Sequence, residues 1–215
     1  MGAVPSALDP HAGQPVLQYG APLASARRAA IFIHGRGASA EDILGLAAEL
    51  GLDDVTCLAP QAPGNTWYPY SFLSPIPQNE PGITSALGVI ASLLVLLEKQ
   101  GFERERVVIL GFSQGACLTL EFAARHPGRY AAIVGLSGGL IGPPGTPRDY
   151  PGSMENTPVF IGCSDIDPHI PVDRVRESAE VFRRVGAVVD ERIYPGMGHT
   201  INADELSAVR ALLRG

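Results

Sequence analysis

The strongest constraint on the fold is an alternation. Short runs of aliphatic and β-branched residues recur along the chain, and a longer segment of helical character follows most of them. The runs fall at 30–34, 55–59, 107–110, 131–136, 159–162 and 188–194. They are mostly continuous rather than alternating in polarity, as expected for strands covered on both faces of a parallel sheet. The intervening segments at 40–50, 83–100, 115–125, 172–185 and 204–214 read as helices. In the fourth, Val172, Val175, Ala179, Phe182 and Val185 recur at three- and four-residue steps and make one apolar face. Gly51, Gly101 and Gly186 stand where a helix end wants a left-handed residue, and His126-Pro127 closes another helix. Strands alternating with helices imply right-handed crossovers and an α/β fold: a mostly parallel, doubly wound sheet with helices on both faces. The 215 residues suit one such domain over 16–215, preceded by an arm at 1–15.

In sheets of this kind ligands bind beyond the carboxyl ends of the strands. There the chain places Gly111-Phe112-Ser113-Gln114-Gly115, directly between a strand and a helix. A serine at such a corner has a strained backbone and an exposed hydroxyl, and the flanking glycines let neighbouring chain pass. The pattern occurs a second time, as Gly135-Leu136-Ser137-Gly138-Gly139. After Ser137 comes Leu-Ile-Gly-Pro-Pro-Gly-Thr-Pro, which cannot form the helix that the corner needs. Ser113 is the candidate nucleophile, and Ser137 reads as a packed turn residue.

A serine hydroxyl needs a base, and the base needs an orienting carboxylate. His199 lies in Tyr-Pro-Gly-Met-Gly-His-Thr, after the last strand, from where an imidazole can reach the nucleophile. His126 sits at the tail of the helix that Ser113 begins and reads as its cap. Two acids follow the strand at 159–162, Asp165 and Asp167, and spacing alone does not choose between them. His169 reads equally as a substrate contact or an ordinary loop residue. For a developing oxyanion, the glycine-rich turn Gly35-Arg36-Gly37 after the first strong strand offers the N–H of Arg36, and the residue after the nucleophile offers the N–H of Gln114. His34 is expected to orient that turn, and the Arg36 side chain to pair with a surface acid.

The long connection at 60–81 carries Trp67, Tyr68, Tyr70 and Phe72 on the side of the site, as a wall for an apolar substrate pocket or as a structural plug.

Composition removes other classes. A net charge of −6 without a basic stripe argues against a nucleic-acid partner. Three separated cysteines, each in or beside an apolar run, suit buried reduced thiols in the cytoplasm, and no Cys/His spacing suggests a metal. The first thirty residues lack the profile of a secretory signal, although Met1–Ser6 matches the loose myristoylation pattern. The apolar stretch 83–97 is too short and too interrupted to insert in a membrane.

These residues resemble the phospholipase/carboxylesterase family of α/β-hydrolases, which includes the acyl-protein thioesterases. The resemblance rests on His34-Gly35-Arg36-Gly37, Gly111-Phe112-Ser113-Gln114-Gly115, Asp167-Pro168-His169-Ile170-Pro171 and Gly196-Met197-Gly198-His199. It implies an α/β-hydrolase fold without a large lid and a catalytic set of Ser113, Asp167 and His199, the aspartate before the proline matching the family's acid. It further implies a cofactor-free serine carboxylesterase acting on small esters, with an acyl thioesterase or lysophospholipase as the neighbouring alternative and a non-catalytic binding protein as the remote one. Trp67, Tyr68, Phe72, Phe112 and His169 are the expected pocket residues, and a homodimer is the assembly considered. Arg36, where the thioesterases usually carry an apolar residue, and the segment Asn65–Leu73 point to the bacterial esterase branch and away from protein depalmitoylation.

Overall fold

Successive side chains of a strand point to opposite faces of a sheet, so a strand that is apolar throughout needs cover on both sides. In the computed structural model, which describes residues 9–52 and 54–214, that cover is complete over the centre of a seven-stranded sheet. The strands are β1 (Val16–Gly20), β2 (Arg28–Ile33), β3 (Val55–Pro60), β4 (Val107–Phe112), β5 (Ala132–Leu136), β6 (Pro158–Ser164) and β7 (Val188–Tyr194), in the order β1-β3-β2-β4-β5-β6-β7. All neighbours pair in parallel except β1, which runs antiparallel to β3.

The helices are α1 (Ala40–Leu50), α2 (Gly82–Lys99), α3 (Gln114–Arg125), α4 (Val172–Arg184) and α5 (Ala203–Arg214). One face of the sheet, with Ile31, Ile33, Ile109, Ile133 and Ile161, packs against α2, α3 and α4. The other, with Ala30, Phe32, Val108, Leu110 and Val134, packs against α1 and α5. The alternate residues of single strands thus feed two separate cores, as in an α/β-hydrolase sheet. Gly51, Gly101 and Gly186 all have positive φ just past helix ends.

β1 has no counterpart in the sequence reading. Its burial alternates between exposed and half-buried, because it is an edge strand with one neighbour. It therefore lacks the continuous apolar run that marks the central strands. Helix α2 falls within one residue of the segment 83–100 read as helix, and runs past the apolar stretch 83–97. It is the one helix among the described residues that is long and apolar enough to cross a membrane, and half of that stretch is buried in the protein. The Met1–Ser6 pattern lies outside the described residues.

The connection from β3 to α2 contains two short 3-10 turns, Pro63–Asn65 and Ile76–Asn79. Ahead of β1, His11 is buried, with Nδ1 2.6 Å from Ser85 Oγ on α2 and its ring 5.2 Å from that of Trp67.

Candidate active site

The strand β4 ends at Phe112 and α3 begins at Gln114, so the whole turn is made at Ser113. Its φ of 55° and ψ of −118° form a combination that residues with a side chain rarely adopt. The corner is tight enough to exclude side chains on either flank. A Cβ on Gly111 would overlap the Gly115 backbone, and one on Gly115 would overlap the Ile33 carbonyl in β2. Ser113 therefore stands at the N-terminus of α3, where the helix dipole favours negative charge.

The Ser113 hydroxyl lies 2.9 Å from His199 Nε2, and His199 Nδ1 lies 2.6 Å from Asp167 Oδ2. A carboxylate only accepts, so Nδ1 carries the imidazole proton and Nε2 presents its lone pair to the serine. The histidine ring also packs against those of Phe112 and His169, at centroid distances of 5.0 and 4.9 Å. Its loop is tied to the end of β6: Gly198 N–H donates to Ser164 Oγ and Gly196 N–H to Asp165 Oδ1. The Asp167 side chain is fully buried, and its other oxygen accepts the N–H groups of His169 and Ile170 at 2.8 and 3.0 Å. Burial alone would raise its pKa. The hydrogen bonds from His199 and those two backbone groups outweigh burial and hold the carboxyl below its ordinary value.

The loop after β2 lies against the same corner, with Gly35 close enough that a Cβ there would stand 3.3 Å from Ser113 Cβ. The loop ends in a capping box, in which Ser39 and Asp42 satisfy each other's backbone N–H at the start of α1. Among the described residues, the N–H groups of Arg36 and Gln114 donate to no protein acceptor. His34 is buried, with Nδ1 donating to Gly35 O at 2.8 Å and Nε2 accepting from Ala62 N–H at 3.1 Å. Both ring nitrogens are occupied, and burial lowers its pKa, so it is a neutral bracket for the loop.

A cleft of about 280 Å³ opens over Ser113 and His199. Its walls are Arg36, Tyr68, Ser71, Phe72, Gln114, Cys117, His169 and Ile170. Burial pushes the Cys117 thiol up to about 12, so it is an apolar wall and not a second nucleophile.

Residues 20–214 match the description phospholipase/carboxylesterase. The chain belongs to the phospholipase/carboxylesterase family. A solved phospholipase/carboxylesterase from Dyadobacter fermentans is 41% identical, superimposes with a TM-score of 0.90 and covers 94% of this chain and 97% of its own. Acyl-protein thioesterase 1 of Gibberella zeae is 34% identical over 119 residues, 53% of this chain, so the chain spans about half (49%) of that relative's length. Acyl-protein thioesterase 1 of Debaryomyces hansenii is 26% identical over 90% of this chain and 93% of its own.

Within this phospholipase/carboxylesterase chain the residues singled out from sequence fall into three groups. Ser113, Asp167 and His199 meet, with Arg36 and Gln114 beside them. Tyr68, Phe72 and His169 line the cleft. Trp67 and Phe112 do not. Trp67 is buried beneath the cleft because its indole is stacked on His34, and Phe112 is turned against the His199 ring. The expected ion pair of Arg36 with an acid is also absent among the described residues; its guanidinium binds backbone carbonyls instead. Ser137 is fully buried, and its N–H donates to Gly162 O, so the second serine pattern is a packed turn. Ser71, Cys117 and Ile170 were not anticipated. Cys117 had a signal, since it follows Ser113 by four residues and shares its helix face.

Proposed function

We propose that this member of a serine-hydrolase family is a carboxylesterase that cleaves small carboxylic esters through an acyl-enzyme. Ser113 Oγ attacks the acyl carbon while His199 Nε2 takes its proton, and Asp167 holds the imidazole and stabilises its charged form. The carbonyl oxygen, now carrying the negative charge, receives the N–H groups of Arg36 and Gln114. His199 returns the proton to the leaving alcohol. It then activates a water that releases the acid and restores Ser113.

The observation that carries this reading is the continuous hydrogen-bonded chain from the Ser113 hydroxyl through His199 to the Asp167 carboxylate, at 2.9 and 2.6 Å. One feature supports small acyl groups. The cleft volume of about 280 Å³ stands at the lower end of ligand pockets, roughly 300–1,000 Å³.

The test is turnover of p-nitrophenyl acetate, butyrate and palmitate by wild type and Ser113→Ala, with fluorophosphonate labelling. The expected result is hydrolysis strongest for short acyl chains, label on Ser113 and no turnover in the variant. Undiminished turnover by Ser113→Ala overturns the assignment. A second reading, an acyl thioesterase, is favoured by the relatives named acyl-protein thioesterase 1. Matched esters and thioesters of one acyl group separate the two.

A further inference from the structure

The residues that offer the oxyanion N–H groups also have side chains, and both side chains grip one backbone carbonyl. Arg36 Nη2 donates to Tyr68 O at 2.8 Å, and Gln114 Nε2 donates to the same oxygen at 2.8 Å. A carbonyl oxygen has two lone pairs, so it can serve both donors at once. The guanidinium extends its hold to Pro69 O at 2.9 Å and Tyr70 O at 2.7 Å. The Gln114 amide completes a two-point clamp, since its Oε1 accepts Trp67 N–H at 2.9 Å. The Trp67 indole N–H, in turn, donates to His34 O at 2.9 Å. These contacts close a ring that runs from the loop after β2, through residues 67 and 68, to the first residue of α3.

We propose that the side chains of Arg36 and Gln114 are positioning groups for the oxyanion site, held in register by their shared acceptor, the carbonyl of Tyr68. The proposal rests on the assignment of their N–H groups to the oxyanion. Donors stabilise a tetrahedral intermediate only when fixed about 2.7–3.1 Å from where its oxygen will be. The peptide that bears the Arg36 N–H is held on its carbonyl side, where Gly35 O accepts from His34 Nδ1 at 2.8 Å and from Ala38 N–H at 3.2 Å. A planar guanidinium on three carbonyls adds a second anchor at the Arg36 Cα, which a flexible ammonium cannot reproduce. The amide of Gln114 is buried and grips Trp67 and Tyr68, sharing only the Tyr68 carbonyl with Arg36. The 66–70 segment thus spaces the two donors without touching the reacting atoms.

The test uses Arg36→Ala, Arg36→Lys, Gln114→Ala and the double alanine variant, each of which keeps both backbone N–H groups. Gln114→Met, close in shape, replaces Gln114→Ala if the latter does not fold, and Arg36→Lys stands in for Arg36→Ala likewise. For each folded variant kcat and KM are measured on p-nitrophenyl butyrate, with the affinity of a trifluoromethyl ketone that forms a tetrahedral adduct. Each single variant is expected to lose about 10- to 100-fold in kcat with KM within about threefold, Arg36→Lys included, and the ketone to weaken in proportion. The double variant should lose less than the product of the single losses, because the first change already frees the shared carbonyl. Unchanged kcat, a loss confined to KM, or losses that multiply fully would each overturn the brace. If Ser113→Ala retains activity, the underlying catalytic assignment fails instead, and the two failures are distinct.

Discussion

Asp165 and Asp167 stand two residues apart at the end of β6 and hold different parts of the same loop. Asp165 Oδ1 accepts the backbone N–H of Gly196 at 2.8 Å, and Asp167 Oδ2 meets the His199 ring at 2.6 Å. One carboxylate carries the loop and the other its imidazole. Asp167→Asn is therefore expected to reduce kcat by about 10⁴-fold, since the amide no longer fixes the tautomer. Asp165→Asn loses one charge-assisted contact to backbone and should stay within about tenfold of wild type. Comparable losses in the two variants, measured on one ester, would contradict this division.

Glu205 gives a stability signature. It is fully buried at the start of α5, where its Oε2 accepts Asn202 N–H and its Oε1 has no partner. Burial pushes its pKa up to about 7 from an ordinary value of 4.5. The unfolded carboxyl ionises first, so the protein should lose stability as pH rises from about 4.5 through 7. Glu205→Gln keeps the capping geometry and removes the titration. Its unfolding free energy should match wild type more closely at pH 4 and gain on it up to pH 8, by as much as about 3 kcal/mol, as read from denaturant melts at each pH. A difference constant across that range would refute the assignment.

Glycine positions should respond in opposite directions. Gly115→Ala drives a Cβ into the carbonyls of Ile33 and His34. It should destabilise by at least about 2 kcal/mol or prevent folding. Gly88→Ala adds a methyl to α2 with nothing within 4 Å, and should stabilise by roughly 0.5–1 kcal/mol. Thermal melts of both variants check the contrast.

Thiol chemistry should be silent in the native state. Cys57, Cys117 and Cys163 are unpaired and buried, and burial pushes each thiol up to about 12. Iodoacetamide at pH 7.5 is expected to leave ester turnover intact, although Cys117 borders the cleft. Ellman's reagent should find all three thiols only after denaturation. Rapid native inactivation would place a reactive thiol in the site.

Much of this was legible in the sequence, for physical reasons that differ by element. Central strands announce themselves because two-sided burial demands unbroken apolar runs, as in β4 at Val107–Phe112 and β5 at Ala132–Leu136, and α1 at Ala40–Leu50 falls where the pattern puts it. Ser113 could be preferred over Ser137 because only one of the two corners is followed by helix-forming residues. The backbone angle alone would not have sufficed, since Ser137 also has a positive φ of 51°. β1 was missed because its five residues at the sheet edge hold no β-branched run beyond Val16, whereas the other edge strand, β7, carries Val188, Val189 and Ile193. The direction of Trp67 and the grip of Arg36 were not legible either. Their partners are main-chain carbonyls from distant loops, and a carbonyl leaves no mark in a sequence.

The connection from β3 to α2 is moored at two separate quays. Upstream, Trp67 and Tyr68 are tied to Gln114 and Arg36. Downstream, Asn79 receives Tyr70 N–H and donates to Ser71 O, and Gly142 N–H donates to Phe72 O. Residues 71 and 72 line the cleft but take no part in the upstream moorings. The outer stretch can therefore be rebuilt without loosening the contacts that hold the inner one, so this part of the cleft wall and the grip of Arg36 and Gln114 are mechanically separable.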